Sequence, residues 1–572
     1  MKKRMSLSHG TALYTFGIAL IIGCQHAKID YSDISIDPKD ISIGARTFLQ
    51  DCSACHDMHQ RAIGPSLAGL TREVEATWIR SFIRDSKSMI DAGDERAVRL
   101  FEEFGVYMPS YSFHSEQKLD QIISYLHTVE KINRGEMGDT AGVLTNPIKE
   151  SIAESDLVID LLPFTQIPAS SQEMPLTRIV KMDHIPKSDR LFVADLRGQF
   201  YEVVGETTVK VLDLNDVYPN FYHQSGLGSG LGSFAFHPEF LENGLLYFTH
   251  SEFPGSSPAD FKFDDSIKVA LQWTLVEWKV RDPSSSDFSG QERELFRINM
   301  PSVAHGMQDI NFNPYARPGH SDYGLLFINI GDGGSTLQKH LSLVDNRQAP
   351  WGKIYRIDPS GKNSNNSKYG IPGDNPFVGQ SDALQETYAW GFRNPHRSTW
   401  DRQGRLLVSD IGHHRIEEVN LIVPGNNYGW PYREGTFILD PVNNISNVLP
   451  LSEDDSGNYT YPIAQYDHDE GNAISGGYEY IGDAVSQMKG KYFFGDIVRG
   501  TLFYINTDEM SLGSQAKVHK WNIAVSGKPT NLIDICGSSR VDLRFGQDSN
   551  DELYIMTKAD GKIYKMAPRS AL

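Results

Sequence analysis

The sequence predicts a multidomain chain: a small all-α domain near the N-terminus, followed by an all-β domain built as a six-bladed β-propeller. Three observations carry this. Apolar residues recur at helical spacing between about residues 40 and 131. A unit of turn plus short apolar strand then recurs six times. Between the two, residues 132–175 have no clear period and are rich in Glu, Ser, Thr and Pro, as expected of a linker, with Val158, Ile159, Leu161 and Leu162 expected as an entry strand lying against either domain.

In chain order, Lys2, Lys3 and Arg4 form a charged leader, and an apolar run from Ala12 to Gly23 follows. That run is too short for a stable transmembrane anchor. It ends Leu20-Ile21-Ile22-Gly23-Cys24, which resembles a bacterial lipobox with cleavage before Cys24 and lipidation of its thiol. The expectation is a signal peptide over 1–23, a tether over 24–39, and a lipid-anchored protein in a bacterial cell envelope, on the periplasmic or outer-membrane face. The balance of 54 basic against 73 acidic residues gives a net charge of −19, which argues against a nucleic-acid partner.

Within the predicted helical domain, residues 40–131, Cys52-Ser53-Ala54-Cys55-His56 reads as a c-type haem attachment site. The thiols of Cys52 and Cys55 take up the porphyrin edge, and His56 is placed to bind the iron. No second Cys pair completes a zinc cage. With Cys24 assigned to lipid, only Cys536 remains, so no intramolecular disulfide is expected. The helical stripes run through Ile43 and Thr47, then Val74, Trp78, Phe82 and Ile83, then Leu119, Ile122, Ile123 and Leu126. Helices of this number around one haem resemble a monohaem class I cytochrome c. The resemblance implies that the first and last helices cross near Gly44, Phe48 and Tyr125. The sixth iron ligand has three candidates, Met58, Met89 and Met108. Met58 is too close to His56 to cross the ring, and Met89 lies in a polar run. Met108, in Tyr107-Met108-Pro109-Ser110 ahead of the last helix, is the one the family pattern favours. His/Met ligation suits an electron acceptor.

The six repeats begin the large domain, residues 176–568. They are Asp189-Arg190-Leu191-Phe192-Val193, Asn243-Gly244-Leu245-Leu246-Tyr247, Tyr323-Gly324-Leu325-Leu326-Phe327, Gly404-Arg405-Leu406-Leu407-Val408, Gly490-Lys491-Tyr492-Phe493-Phe494 and Asp551-Glu552-Leu553-Tyr554-Ile555. At roughly 65 residues per repeat, each has room for four strands and a loop. Repeated four-stranded sheets around an axis make a propeller.

Five motifs then occur in order: Phe234-Ala235-Phe236-His237-Pro238, Gly331-Asp332-Gly333-Gly334, Gly352-Lys353-Ile354-Tyr355-Arg356-Ile357, Gly391-Phe392-Arg393-Asn394-Pro395 and Gly425-Asn426-Asn427-Tyr428-Gly429-Trp430. Together they resemble the glucose/sorbosone dehydrogenase family, whose enzymes use pyrroloquinoline quinone (PQQ) and calcium. The resemblance implies that His305 is the catalytic base, Asp332 the carboxylate that orients it, and Arg393 and Asn394 the groups at the quinone edge. It implies calcium on the backbone carbonyls of Gly412 and His413. Three positions depart from the family pattern. Val498 stands where a lysine grips the cofactor, with Arg499 adjacent; Gly228 stands for a cofactor-contacting glutamine; and the C-terminal arginine pair is displaced to Arg540 and Arg544. Arg499, Arg540 and Arg544 are the expected replacements. Several stretches, Tyr466-Asp467-His468 among them, look closer to Hedgehog-interacting-protein-like propellers, some of which bind partners without the quinone.

The function expected is that of a quinohaemoprotein. A sugar or polyol is oxidised with PQQ, and electrons pass to haem c and on to a respiratory acceptor. The alternative is a non-catalytic haem-bearing propeller that binds a glycan, protein or small ligand.

Overall fold

The computed structural model describes residues 31–52, 56, 58, 64–104, 107–108, 110–112, 114–131, 142–144, 146–172, 174–223, 228–452, 455, 458–538 and 540–569. The proposed leader, Cys24 and Cys55 lie outside the described residues. Among those described, no helix is long and apolar enough to cross a membrane.

Four helices form the N-terminal part: α1 (Pro38–Asp51), α2 (Ala76–Asp91), α3 (Glu95–Phe104) and α4 (Glu116–Thr128). Asp37 caps α1 by accepting from the Lys39 N–H, and Ser115 caps α4 by accepting from the Lys118 N–H. The stripe predicted in the last helix is its buried face, Leu119, Ile122, Ile123 and Leu126 of α4, whereas in α2 the buried residues are Ile79 and Ile83, and the predicted Trp78 and Phe82 are half-buried beside them. Helices α1 and α4 cross so closely at Gly44 that a Cβ there would lie 1.8 Å from the Gln121 carbonyl oxygen. The Phe48 and Tyr125 rings meet beside this crossing, centroids 5.6 Å apart. The pairing implied by the cytochrome pattern is therefore present.

The remainder is a ring of six blades, the fifth and sixth joined in one nine-stranded sheet, with a separate three-stranded sheet of Arg433–Glu434, Phe437–Asp440 and Asn444–Pro450. Each of the six sequence repeats supplies the second strand of one blade: Leu191–Asp195, Leu245–Glu252, Leu326–Ile330, Leu406–Asp410, Lys491–Asp496 and Leu553–Thr557. The strands preceding them line the axis. Ile179–His184, Leu231–Phe236, Met307–Phe312, Pro395–Trp400, Ile474–Glu479 and Leu543–Gln547 neighbour one another in a closed order, the last meeting the first. Radial repetition leaves only short, protected sheet edges. Apolar side chains fill the wedges between blades. Phe192, Phe200, Phe234, Phe236, Phe248 and Phe288 form one such wedge between the first two blades. Full burial of each ring is worth about 2–3 kcal/mol.

The chain joins the propeller earlier than residue 176. Glu154–Gln166, inside the segment expected to be linker, is a strand of the ring. It pairs antiparallel with Lys562–Ala567, closing the sixth blade, and parallel with His519–Val525 of the fifth. Just upstream, the Ile148 and Ile152 N–H groups donate to Asp467 and Glu470. The composition of this stretch suggested a tether because its pairing partners lie more than 350 residues downstream.

Candidate functional site

A single cavity of about 890 Å³ is lined from both parts of the molecule. Its helical wall includes Phe48, Cys52, His56, Ile79, Phe82, Met108, Ile122 and Leu126. Its propeller wall includes Arg178, Gln308, His305, Asn394, His396, Arg544 and Lys558. The volume falls in the range of cofactor pockets.

On the helical side, His56 Nδ1 lies 3.0 Å from the Pro65 carbonyl oxygen. A carbonyl only accepts, so Nδ1 carries the proton and Nε2 is left with a free lone pair. This is the second-shell bond that orients a metal-binding imidazole. Gly64 makes the arrangement possible: a Cβ there would sit 2.3 Å from the His56 ring. Of the three methionines considered, Met108 lines the cavity, whereas Met58 and Met89 do not. Its loop is fastened to α2, where Ser86 Oγ donates to the Met108 carbonyl at 2.8 Å and the Tyr111 N–H donates to the Ile83 carbonyl. Cys52 is buried in the same wall.

On the propeller side, His305 stands at the end of the strand Gly290–Met300 and its following loop, with φ of +53°. Left-handed backbone at a non-glycine residue is strained and is found preferentially at functional sites. The imidazole Nδ1 is 2.6 Å from Asp332 Oδ1. His305 retains 11% exposure toward the cavity, while Asp332 behind it has 1%. The carboxylate is held from three directions, accepting from His305, from the Gly334 N–H at 2.7 Å and from Trp430 Nε1 at 3.1 Å. Burial and the nearby Arg393 cation lower the His305 pKa below its ordinary 6.5, against the pull of Asp332. Burial pushes the Asp332 carboxyl up, but His305, Arg393 and the Gly334 amide outweigh it and hold it below the usual range. The pair is therefore a neutral imidazole on a carboxylate, with Nε2 open as a base.

Other expected residues fall differently. Asn394 lines the cavity, and its Oδ1 is buried without a partner. Arg393 does not line it. Its guanidinium is buried behind the wall, donating Nη1 to the Ile411 carbonyl and lying 5.6 Å from the Trp430 ring centroid. Arg499 is not brought to the cavity at all: its side chain donates to Asn472 Oδ1 and to the Asp469 and His468 carbonyls. A turn at Asp496, which accepts the Arg499 N–H, aims it outward, and Val498 takes the inner position. Arg540 does line the cavity, with Nε on Asp542 Oδ1 at 2.7 Å.

Gly412 and His413 lie just past Ile411, which is on the wall. Around them are four buried acids, Asp410, Glu417, Glu418 and Glu434, all with raised pKa, chiefly from burial. These carboxylates accept from backbone amides: Asp410 from Arg393 and Asn394, Glu434 from His413 and His414, Glu418 from Gly435 and Glu417 from Ile474. Among the described residues, no group of three or more His, Cys, Asp or Glu is arranged to hold a metal ion. The acids do not converge as a cage, and burial favours their neutral forms, so a calcium ion here would depend on carbonyl oxygens.

The cavity also holds what sequence reading missed. Gln308, from the neighbouring blade, fills the space opposite Gly228: a Cβ on Gly228 would meet its Nε2 at 2.0 Å. An amide is thus delivered to the wall although residue 228 has no side chain. Arg178, Arg544 and Lys558 are buried cations on the same wall. Arg544 belongs to the displaced C-terminal pair read from the sequence; no local motif marks Arg178 and Lys558, because they come from the first and sixth blades and meet only when the ring closes.

A helical module with an oriented histidine and a facing methionine loop, set on a six-bladed propeller with a histidine–carboxylate pair, defines a cytochrome–propeller fusion. The cytochrome c family profile matches residues 41–130. The glucose/sorbosone dehydrogenase profile matches residues 176–565, and the chain belongs to that family. Among curated relatives, the HIPL2 protein of Arabidopsis thaliana is 30% identical over 378 residues, covering 58% of this chain and 52% of that protein. Quinoprotein glucose dehydrogenase B of Acinetobacter calcoaceticus is 26% identical over 227 residues, 37% of this chain and 42% of that protein. The chain spans about half the length of the curated relatives it matches. Among solved structures, the PQQ-bound aldose sugar dehydrogenase of Streptomyces coelicolor aligns with a TM-score of 0.44 at 19% identity, covering 73% of this chain and 97% of that one.

Proposed function

We propose that this protein is an envelope quinohaemoprotein. It oxidises a hydroxyl of a sugar or polyol at the propeller and delivers the electrons to a covalently bound haem c, from which a respiratory carrier collects them. The observation that carries this is the shared cavity: the His305–Asp332 pair and the haem-binding wall open onto the same space. The residues present fit an anionic quinone, because Asn394 Oδ1, His396 Nδ1 and Arg544 Nε are buried polar atoms without partners.

PQQ, when bound, supplies a two-electron acceptor. The chain's own residues do the rest. His305 Nε2 takes the hydroxyl proton as the carbon is oxidised. Asp332 fixes the tautomer and stabilises the imidazolium that forms. Arg393, behind the wall, keeps the resting imidazole neutral. Calcium on the Gly412 and His413 carbonyls would add positive charge beside the developing negative charge. Cys52 and Cys55 would hold the haem, with His56 and Met108 the residues that would supply an imidazole and a thioether to its iron. Lipidation at Cys24 and placement at the cell envelope belong to the same proposal.

The test uses full-length protein matured with haem attached, then loaded with PQQ and calcium. Addition of aldoses and polyols is expected to reduce the haem, seen as growth of its visible absorption bands. If no member of the panel reduces haem that dithionite reduces normally, the non-catalytic, ligand-binding propeller becomes the correct reading.

A further inference from the structure

The propeller wall concentrates positive charge in a protein whose net charge is −19. Arg178, Arg540, Arg544 and Lys558 line the cavity together with one carboxylate, Asp542. Asp542 is already engaged by Arg540, and these cations hold its pKa down at about 2 despite burial. Arg397, next along, is committed to Asp309 and to backbone carbonyls of Gln308, His396 and Val180. Arg544 is not so matched. It donates Nη1 to its own Leu543 carbonyl, its Nη2 meets His396 Nε2 at 3.3 Å, and its Nε has no partner although the residue is 95% buried.

Mutual repulsion adds to burial here. Burial and Arg397 lower the Arg544 pKa to about 9; burial, with Arg197 and Arg540 against Asp542 and Asp195, lowers Arg178 to about 10. Lys558 is held well below its ordinary value by burial, Arg544, Arg178 and Arg397 against Asp542. Like charges crowded in a cavity destabilise the fold unless an anion enters.

We propose that Lys558 and Arg544, supported by the charge of Arg178, are the receptor for the carboxylates of the bound quinone, standing in for the lysine that Val498 displaces. The site takes a small aromatic polycarboxylate and rejects its neutral ester. This rests on the quinone reading above but goes beyond it, since Arg178 and Lys558 come from positions that no family motif marks, and only Arg544 belongs to the displaced C-terminal pair. Two carboxylate-bearing groups fit the cavity, PQQ and the haem with its propionates. The cluster is coupled electrostatically to His396, which in turn feels His305, so it belongs with the oxidation site.

The experiment titrates PQQ, with calcium, into full-length haem-loaded but quinone-free protein. It compares wild type with Lys558→Met, Arg544→Met, Lys558→Arg and the surface control Lys562→Met. Binding is read by calorimetry, stability by thermal unfolding, and the haem by its midpoint potential. Loss of one charged hydrogen-bonding partner is expected to weaken PQQ binding about 10- to 100-fold in each Met variant. Lys558→Arg should retain binding, and the control should be unchanged. The quinone-free Lys558→Met protein is expected to melt no lower than wild type, because a crowded charge has been removed. Equal PQQ binding by wild type and both Met variants overturns the inference while leaving the proposed function standing. Unchanged PQQ binding with a shifted haem potential also overturns it, and reassigns the cluster to the propionates. Failure of wild type itself to bind PQQ overturns the proposed function, and this inference with it.

Discussion

The two walls of the shared cavity differ in chemistry. The helical wall is mostly apolar, with Phe48, Ile79, Phe82, Ile83, Ile122 and Leu126 around His56 and Met108. The propeller wall is polar and cationic, with His305, Asn394, His396, Arg544 and Lys558. Each suits a different kind of flat ligand. A macrocycle fixed by thioethers needs little from its surroundings beyond two axial atoms and the exclusion of water, which also tunes its potential. A freely exchanging polyanion needs charges fixed in advance, and the protein carries the cost of holding them close together. The helical wall is therefore part of a stable core, while the propeller wall is a strained feature maintained by the rigid ring around it.

That contrast can be broken most sharply at His305. His305→Gln should lower kcat/KM by about 10²- to 10⁴-fold, the usual worth of a positioned base. The haem spectrum and its reduction by dithionite should not change; a variant that also loses the haem signal would show that the walls are not separable. Stability should divide the same way. Phe200→Ala, deep in the wedge between the first two blades, should destabilise the propeller by about 3–5 kcal/mol without altering the haem spectrum. Gly44→Ala should do the reverse. The added Cβ forces α1 and α4 apart, costing the helical module about 1–3 kcal/mol while PQQ binding is preserved. Unfolding followed separately by haem absorbance and by far-ultraviolet dichroism distinguishes the two.

The smallest expected effect is on pH dependence. The His305 pKa is lowered, so the base stays neutral below the ordinary 6.5, and the acid limb of kcat/KM should lie below that value. Activity falls as pH drops through the folded pKa. Arg393 contributes to the depression, so Arg393→Gln should move the limb upward toward neutrality. A limb that stays put in this variant would mean that burial alone sets the value.

Legibility in the sequence follows the same division. The three helical stripes and the six turn-plus-strand repeats are local, and each fell in the kind of element its period implied. His305 and Asp332 were reachable through motifs because each sits in a recognisable loop, although 27 residues separate them. Arg499 was misplaced by adjacency. It neighbours Val498 in sequence, but the turn at Asp496 sends the two side chains to opposite sides. The strand Glu154–Gln166 was legible as the apolar run Val158, Ile159, Leu161 and Leu162, but not the side it joins, since that is fixed by partners at residues 520–524 and 562–567.

The sequence alone determined the two architectures and the family, because covalent spacing and short-range periodicity are properties of neighbouring residues. Only the tertiary structure decided what faces what: that Arg178, Arg544 and Lys558 meet on one wall, that Gln308 serves the place left by Gly228, and that the haem crevice opens onto the His305 pocket. The physical reason is ring closure. A propeller brings its first and last blades together at the axis, so side chains separated by nearly the whole domain share one electrostatic environment.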